Sequence, residues 1–176
     1  LIPPDKDYID NLEKSGSYIA EKKWNGDNVL IYTDTMEFWN RKKERHRFVP
    51  NEAMKAELDK WPKKAVLNAE LMNYRTKDIK NILIVHCIMV WKGKPLIGKT
   101  WGDSRKIIEQ QPAGLHVQVS EIYQSGFWDL FQAADGTTIE GIVLKQPAGK
   151  LIFSTLPIRD AYWMYKVRKP SKKYQF

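Results

Sequence analysis

The stretch Tyr18-Ile19-Ala20-Glu21-Lys22-Lys23-Trp24-Asn25-Gly26-Asp27-Asn28-Val29-Leu30-Ile31-Tyr32 sets a lysine and a glycine, three positions apart, between two short apolar runs. The runs predict strands over 18–23 and 28–33, and Gly26 predicts the hairpin turn that joins them. A lysine at the end of such a strand can aim its amine into a pocket while the backbone reverses beneath it. Lys-x-x-Gly alone more commonly describes a solvated lysine before a turn, so Lys23 gains meaning only from the rest of the chain.

The 176 residues suit one domain and are enough to bury a core without staples. A single cysteine, Cys87, lies in the apolar run 82–90, so neither a disulfide nor a cysteine metal site can be built within the chain, and a reducing interior is expected. That run is broken by His86 and is about half the length a bilayer requires. The N-terminus lacks a basic region followed by an apolar segment. A soluble, cytoplasmic monomer is the expectation, and the start at Leu1 points to processing or trimming.

Lysine and arginine exceed aspartate and glutamate by 29 to 21, a net charge of +8 that favours a polyanionic partner, nucleic acid first. The excess gathers in 41–47 (Arg41-Lys42-Lys43-Glu44-Arg45-His46-Arg47) and at the C-terminus (Lys166, Arg168, Lys169, Lys172, Lys173). Each cluster can track phosphates, and each is equally well described as a solvated face. Seven tryptophans could stack on bases, but aromatic side chains fill cores more often, and most are expected there.

Helices are predicted over 5–14, 51–60, 103–111 and 127–133, with Asn51 as a cap, Gly16 past the first helix and Trp61-Pro62 ending the second. Further strands are predicted over 37–41, 65–72, 82–91, 115–122, 138–145 and 162–168, those at 65–72 and 82–91 being central. The pattern is one compact α+β unit with largely antiparallel strands and a basic, disordered ending.

Four segments follow Lys23-Trp24-Asn25-Gly26 in order: Trp39-Asn40-Arg41, Asn68-Ala69-Glu70-Leu71, Glu140-Gly141-Ile142-Val143-Leu144-Lys145 and Tyr165-Lys166-Val167-Arg168. Together they resemble the motif series of the covalent nucleotidyltransferases, the superfamily of ATP-dependent DNA ligases, RNA ligases and mRNA capping enzymes. The Glu-Gly-Ile-Val-Leu-Lys string is the most specific of them. The resemblance implies a nucleotidyltransferase (adenylation) domain over 1–170, with two mainly antiparallel sheets and flanking helices around a nucleotide cleft. It leaves a basic tail at 171–176 and no OB-fold domain in this chain.

In that family the lysine attacks the α-phosphate of ATP, releases pyrophosphate and keeps AMP as a phosphoramidate. Lys23 would be that nucleophile, since the adjacent Lys22 has no glycine three residues on. Attack requires the neutral amine, which like charges nearby favour, and Lys145, Lys166 and Arg168 would supply those charges and stabilise the transferring phosphate. By resemblance Glu140 would help hold Mg²⁺ or Mn²⁺, Glu70 would meet the ribose or the metal shell, and Arg41 would contact the nucleotide or a 5′-phosphate. Otherwise each is an exposed strand-end charge, a weaker account for Glu70 because an unpaired carboxylate in an apolar strand is costly.

The chain departs from the family in places. Asn25 stands where aspartate is usual, removing one negative charge beside the nucleophile, so activity is expected with lower metal affinity. His86 occupies the place of an aromatic that stacks on adenine, although a buried core histidine is the preferred reading, and Cys87 stands where aspartate is usual. Arg168 replaces the commoner lysine and adds bidentate geometry. Asn28, where DNA ligases and capping enzymes commonly carry arginine, favours an RNA ligase joining 5′-phosphate to 3′-hydroxyl ends. The alternatives are a DNA ligase sealing nicks, a capping guanylyltransferase, and a nucleic-acid-binding module without catalysis.

Overall fold

The computed structural model describes residues 4–152 and 161–171. In chain order its elements are α1 (Lys6–Lys14), β1 (Ile19–Trp24), β2 (Asp27–Tyr32), β3 (Glu37–Asn40), α2 (Glu52–Leu58), β4 (Val66–Met72), β5 (Ile82–Trp91), β6 (Lys94–Pro95), α3 (Trp101–Ile108), β7 (Val117–Val119), α4 (Phe127–Gln132), β8 (Ile139–Lys145) and β9 (Met164–Arg168). They fall into two compact units, one of residues 4–25, 120–149 and 161–171, the other of 26–119 and 150–152. Of the basic tail expected at 171–176, residues 172–176, with Lys172 and Lys173, lie outside the described residues. No helix among the described residues is long and apolar enough to cross a membrane.

In the first unit β1, β8 and β9 form an antiparallel sheet in the order β1-β8-β9. Ala20, Ile142, Leu144 and Val167 alternate along these strands and are buried with Ile9 of α1 and Phe127 and Phe131 of α4. Asp5 caps α1, its carboxylate accepting the Tyr8 N–H at 2.8 Å. The Glu13 carboxylate on α1 accepts the N–H groups of Gly126 (2.9 Å) and Phe127 (2.8 Å), so one helix caps the start of the other. With one sheet face given to these helices, the two-residue period sends Glu21, Lys23, Lys145, Lys166 and Arg168 to the opposite face.

The second unit is built on a six-stranded sheet in the order β3-β2-β4-β5-β6, with β7 also paired to β5. Val29, Ile31, Leu67, Ala69, Leu71 and Leu83 are fully buried, as fits central strands. Asn51 caps α2, accepting the Met54 N–H at 2.8 Å. The Ser104 hydroxyl of α3 donates to the Ile88 carbonyl (3.1 Å) and accepts its N–H (2.7 Å), which pins the helix to β5.

Several expectations change. The strands on either side of Gly26 do not form a hairpin: β1 pairs with β8, whereas β2 pairs with β3 and β4. The signal misled because the two-residue link Asn25-Gly26 is short enough for a hairpin, yet each strand finds a longer antiparallel partner elsewhere. The third helix begins at Trp101, two residues early, because Thr100 and Asp103 form a reciprocal capping box. The strand expected over 115–122 is only Val117–Val119, and it runs parallel to β5. The Glu57 carboxylate shortens it by gathering the N–H groups of Leu115 (3.1 Å), His116 (2.9 Å) and Val117 (2.7 Å). Among the tryptophans only Trp61, Trp101 and Trp163 are buried; the other four are half-buried, so fewer than expected serve purely as core.

Candidate active site

Lys23 lies opposite Gly141 on the face of the three-stranded sheet away from the helices, and the next pair is Trp24 with Ile139. Glu140 is therefore the extra residue of a β-bulge, and a bulge re-aims a side chain that regular pleating would send to the other face. The bulge is possible because residue 141 is glycine. Its φ is 151°, and a Cβ there would lie 2.0 Å from the Val167 carbonyl oxygen on β9.

Glu140 Oε2 forms an ion pair with Lys23 Nζ, and the same oxygen lies 3.5 Å from Arg168 Nε. Lys166 shares this face two residues before Arg168, opposite Val143. The expected cations thus do converge on the sheet that carries Lys23, but the immediate neighbour of its amine is a carboxylate. Lys145 is 5 % exposed and pairs with Glu21 Oε2 at 2.5 Å. Glu21 was not singled out from the sequence, although its position two residues before Lys23 places it on the same face of β1. A buried pair of this kind adds little net stability, because both charges lose their water.

Lys22 has a different environment. Its ammonium lies 3.2 Å from Glu121 and 5.5 Å from the Tyr123 ring centroid, in register with Ile142 on the helix-covered face. Hydrogen bonding to Tyr123, opposed by burial and reinforced by Glu121, holds the amine above its ordinary range, so Lys22 is kept protonated. Lys22 and Lys23 thus lie on opposite faces of β1, and only Lys23 shares a face with Lys145, Lys166 and Arg168.

The turn leading into Glu140 is tightly bound. Asp135 accepts the N–H groups of Thr137 (2.7 Å), Thr138 (2.7 Å) and Ile139 (3.0 Å), and these bonds hold its carboxyl below the usual range against the opposing effect of burial. Asn25 closes the turn from β1: its backbone N–H donates to the Thr138 carbonyl (2.9 Å) and its side-chain amide to the Thr137 carbonyl (2.7 Å). The amide in place of an aspartate thus makes a bond that a carboxylate could not.

Glu70, His86 and Arg41 belong to the second unit. Glu70 on β4 is opposite Asn28, and its Oε1 accepts the Gly26 N–H at 3.0 Å. Gly26 is needed here for close approach rather than for a turn, since its φ is not positive and a Cβ would meet the Leu71 carbonyl oxygen at 2.6 Å and Glu70 Cγ at 2.7 Å. His86 is half-buried rather than a core residue. The pairs Asn68–Cys87 and Ala69–Val85 leave it unopposed at a second bulge, where its side chain departs from the strand's regular alternation. Arg41 lies in the exposed turn after β3. Asn28 donates to Asn68 Oδ1 at 3.2 Å, and Asp27 sits between His46 (3.7 Å) and Arg75 (2.8 Å), contacts with no precedent in the local sequence pattern.

Among the described residues no three carboxylate, histidine or cysteine side chains group to hold a metal ion. A magnesium-like ion does not require such a cage when phosphates supply part of its shell. The Glu140 carboxylate, partly exposed and held only by side-chain cations, suits that use.

No protein-family model matches the chain, and no curated protein matches it by sequence. Solved structures do. The ligase domain of M. tuberculosis LigD superposes with a TM-score of 0.60 at 16 % identity, over 86 % of this chain and 52 % of that one. A structure from a study of Lig E DNA ligases, described as binding DNA with a minimal scaffold, gives 0.58 at 14 %, over 88 % and 62 %. A mycobacterial DNA ligase D complexed with ATP and MES gives 0.57 at 16 %, over 86 % and 54 %. The chain spans less than two thirds of each of these proteins. With two mainly antiparallel sheets and four helices among the described residues, it shares the fold of these ligase structures.

Proposed function

We propose that this chain is the adenylation domain, spanning 1–170, of an ATP-dependent polynucleotide ligase, with Lys23 as the nucleophile. The observation that carries the reading is the bulge that brings Glu140 onto Lys23, on a sheet face shared with Lys145, Lys166 and Arg168. The Lys23 ammonium gives one proton to solvent and its lone pair attacks the α-phosphorus of ATP; a P–N bond forms, the bond to the bridging oxygen breaks, pyrophosphate leaves with the electron pair, and the nitrogen gives a second proton to solvent to become the phosphoramidate. Glu140 orients Nζ before attack. Lys166 and Arg168 offset the negative charge that builds on the phosphate oxygens, and the Lys145–Glu21 pair holds β1 and β8 in register beside them.

A bound Mg²⁺ or Mn²⁺ would neutralise phosphate charge, and Glu140 is the carboxylate suited to hold it, with Glu70 as the second candidate. Glu70, His86 and Arg41 are assigned to the nucleotide: the ribose or metal shell, the adenine ring, and a phosphate, respectively. The AMP would pass to a 5′-phosphate, and a 3′-hydroxyl would then displace AMP to join the strands. Asn28 favours RNA, and the DNA ligases of like fold support a nick-sealing DNA ligase as the second reading.

The decisive test incubates the protein with α-labelled ATP and Mg²⁺ and looks for an acid-resistant labelled band. Label is expected in the wild type and absent in Lys23→Ala; an unlabelled wild type would overturn the proposal. Joining assays on nicked duplexes with RNA or DNA on each side then decide the strand.

A further inference from the structure

Arg47 ends the basic segment 41–47, and its guanidinium carbon lies 4.4 Å from the centroid of the Tyr74 ring. Tyr74 is held by two other rings, Phe48 at 6.5 Å and 87° and His46 at 5.9 Å and 38°. Phe48 packs edge-on against the core residue Phe38 at 5.2 Å, and its N–H donates to His46 Nδ1 at 3.1 Å. An exposed arginine is in this way tied to the core of the second unit through a chain of rings.

Two other arginines nearby are neutralised. Arg45 lies 3.3 Å from Glu37, and Arg75 lies 2.8 Å from Asp27. Among the described residues Arg47 has no carboxylate partner, and Arg41 and Lys42 in the same segment are exposed. Stacking on a ring orders a guanidinium without using its N–H groups, which remain available as a planar fork. That fork matches a phosphate, and the charge of the chain favours a polyanion.

We propose that Arg47 is a contact for the phosphodiester backbone of a nucleic acid, and that Tyr74 is a positioning residue that acts through it. This rests on the polynucleotide-ligase reading for its choice of partner, since RNA and DNA present the same phosphodiester. The test is fluorescence anisotropy of the whole chain with fluorescein-labelled nicked duplexes, one of RNA and one of DNA, across a potassium chloride series. Arg47→Gln should weaken binding and reduce the slope of log K against log salt by about 0.9 on B-form DNA. Tyr74→Leu should weaken binding about threefold, Tyr74→Phe should match the wild type, and adding Tyr74→Leu to Arg47→Gln should cost nothing further.

An unchanged salt slope in Arg47→Gln on both duplexes overturns the phosphate contact, and this exposed substitution does not depend on the ring cluster for folding. Full additivity of the two substitutions, with both proteins folded by circular dichroism, overturns the positioning role of Tyr74. Wild-type labelling with α-labelled ATP runs alongside. Absence of label with Arg47-dependent binding would overturn adenylation alone; label with Arg47-independent binding would overturn this surface alone.

Discussion

Glu140 in the first unit and Glu70 in the second are both carboxylates beside a glycine's backbone, but they are held by different kinds of partner. Glu140 leaves the regular pleat at a bulge and binds the side chains of Lys23 and Arg168. Glu70 stays in its strand and accepts a backbone N–H from Gly26. Side-chain ion pairs can exchange when phosphate or a cation arrives, whereas a backbone bond keeps its acceptor in place. The contrast sets a carboxylate paired with side-chain cations beside one that accepts a backbone N–H.

The largest expected effect sets the two glycines against each other. Gly141→Ala drives a Cβ into the Val167 carbonyl at a left-handed φ and should cost more than about 3 kcal/mol in urea unfolding. Gly26→Ala meets one backbone oxygen and two adjustable side chains, so about 2 kcal/mol is expected. Equal costs would remove the distinction between a bulge glycine and a close-approach glycine.

Next comes the buried pair. Lys145→Met leaves the Glu21 carboxylate, 1 % exposed, without its ammonium and should destabilise by about 3–5 kcal/mol. Glu21→Leu combined with Lys145→Met should recover most of that loss. Failure to recover would mean that each residue is separately required.

A smaller effect is expected at the turn that delivers Glu140. Asn25→Asp replaces an amide donor by an acceptor facing the Thr137 carbonyl, costing about 1–2 kcal/mol and slowing lysine labelling. Labelling as fast as the wild type would show that this clamp does not set the position of Glu140.

The smallest effect is in the pH dependence around Lys22. Its pKa is raised above 10.5, so its contribution is complete below that value and is lost as pH rises through the folded-state pKa. Glu121, chiefly through its bond to Tyr123, is held below 4.5, so its contribution is present above that value and fades as pH falls through the lower one. Glu121 is exposed and Lys22 half-buried, so solvent screens the pair and under about 1 kcal/mol is expected. Thermal melts of Glu121→Gln should show a flatter acid limb; an identical limb would assign the loss to other carboxylates.

Much of the first unit was legible because a strand's period of two is written in the chain. Lys166-Val167-Arg168 alternates charged and apolar residues, and that alternation already sorts one face from the other. Asp5 and Asn51 likewise announce their helices. What period cannot carry is an interruption of period. The bulges at Glu140 and His86 reverse the alternation at the residues of chemical interest, and they are set by pairing with strands distant in sequence.

The amino-acid sequence by itself determined most of the strands and helices and the sign of the charge, because local propensity and alternation depend on neighbours along the chain, and the motif series that Lys23 opens marked it as the residue to test. Only the tertiary structure decided that β1 and β2 part at Gly26 into different sheets, that Glu21 answers Lys145, and that Glu140 reaches Lys23. Those outcomes depend on strand partners more than a hundred positions away in the case of β1 and β8, where register and close backbone approach select the contacts.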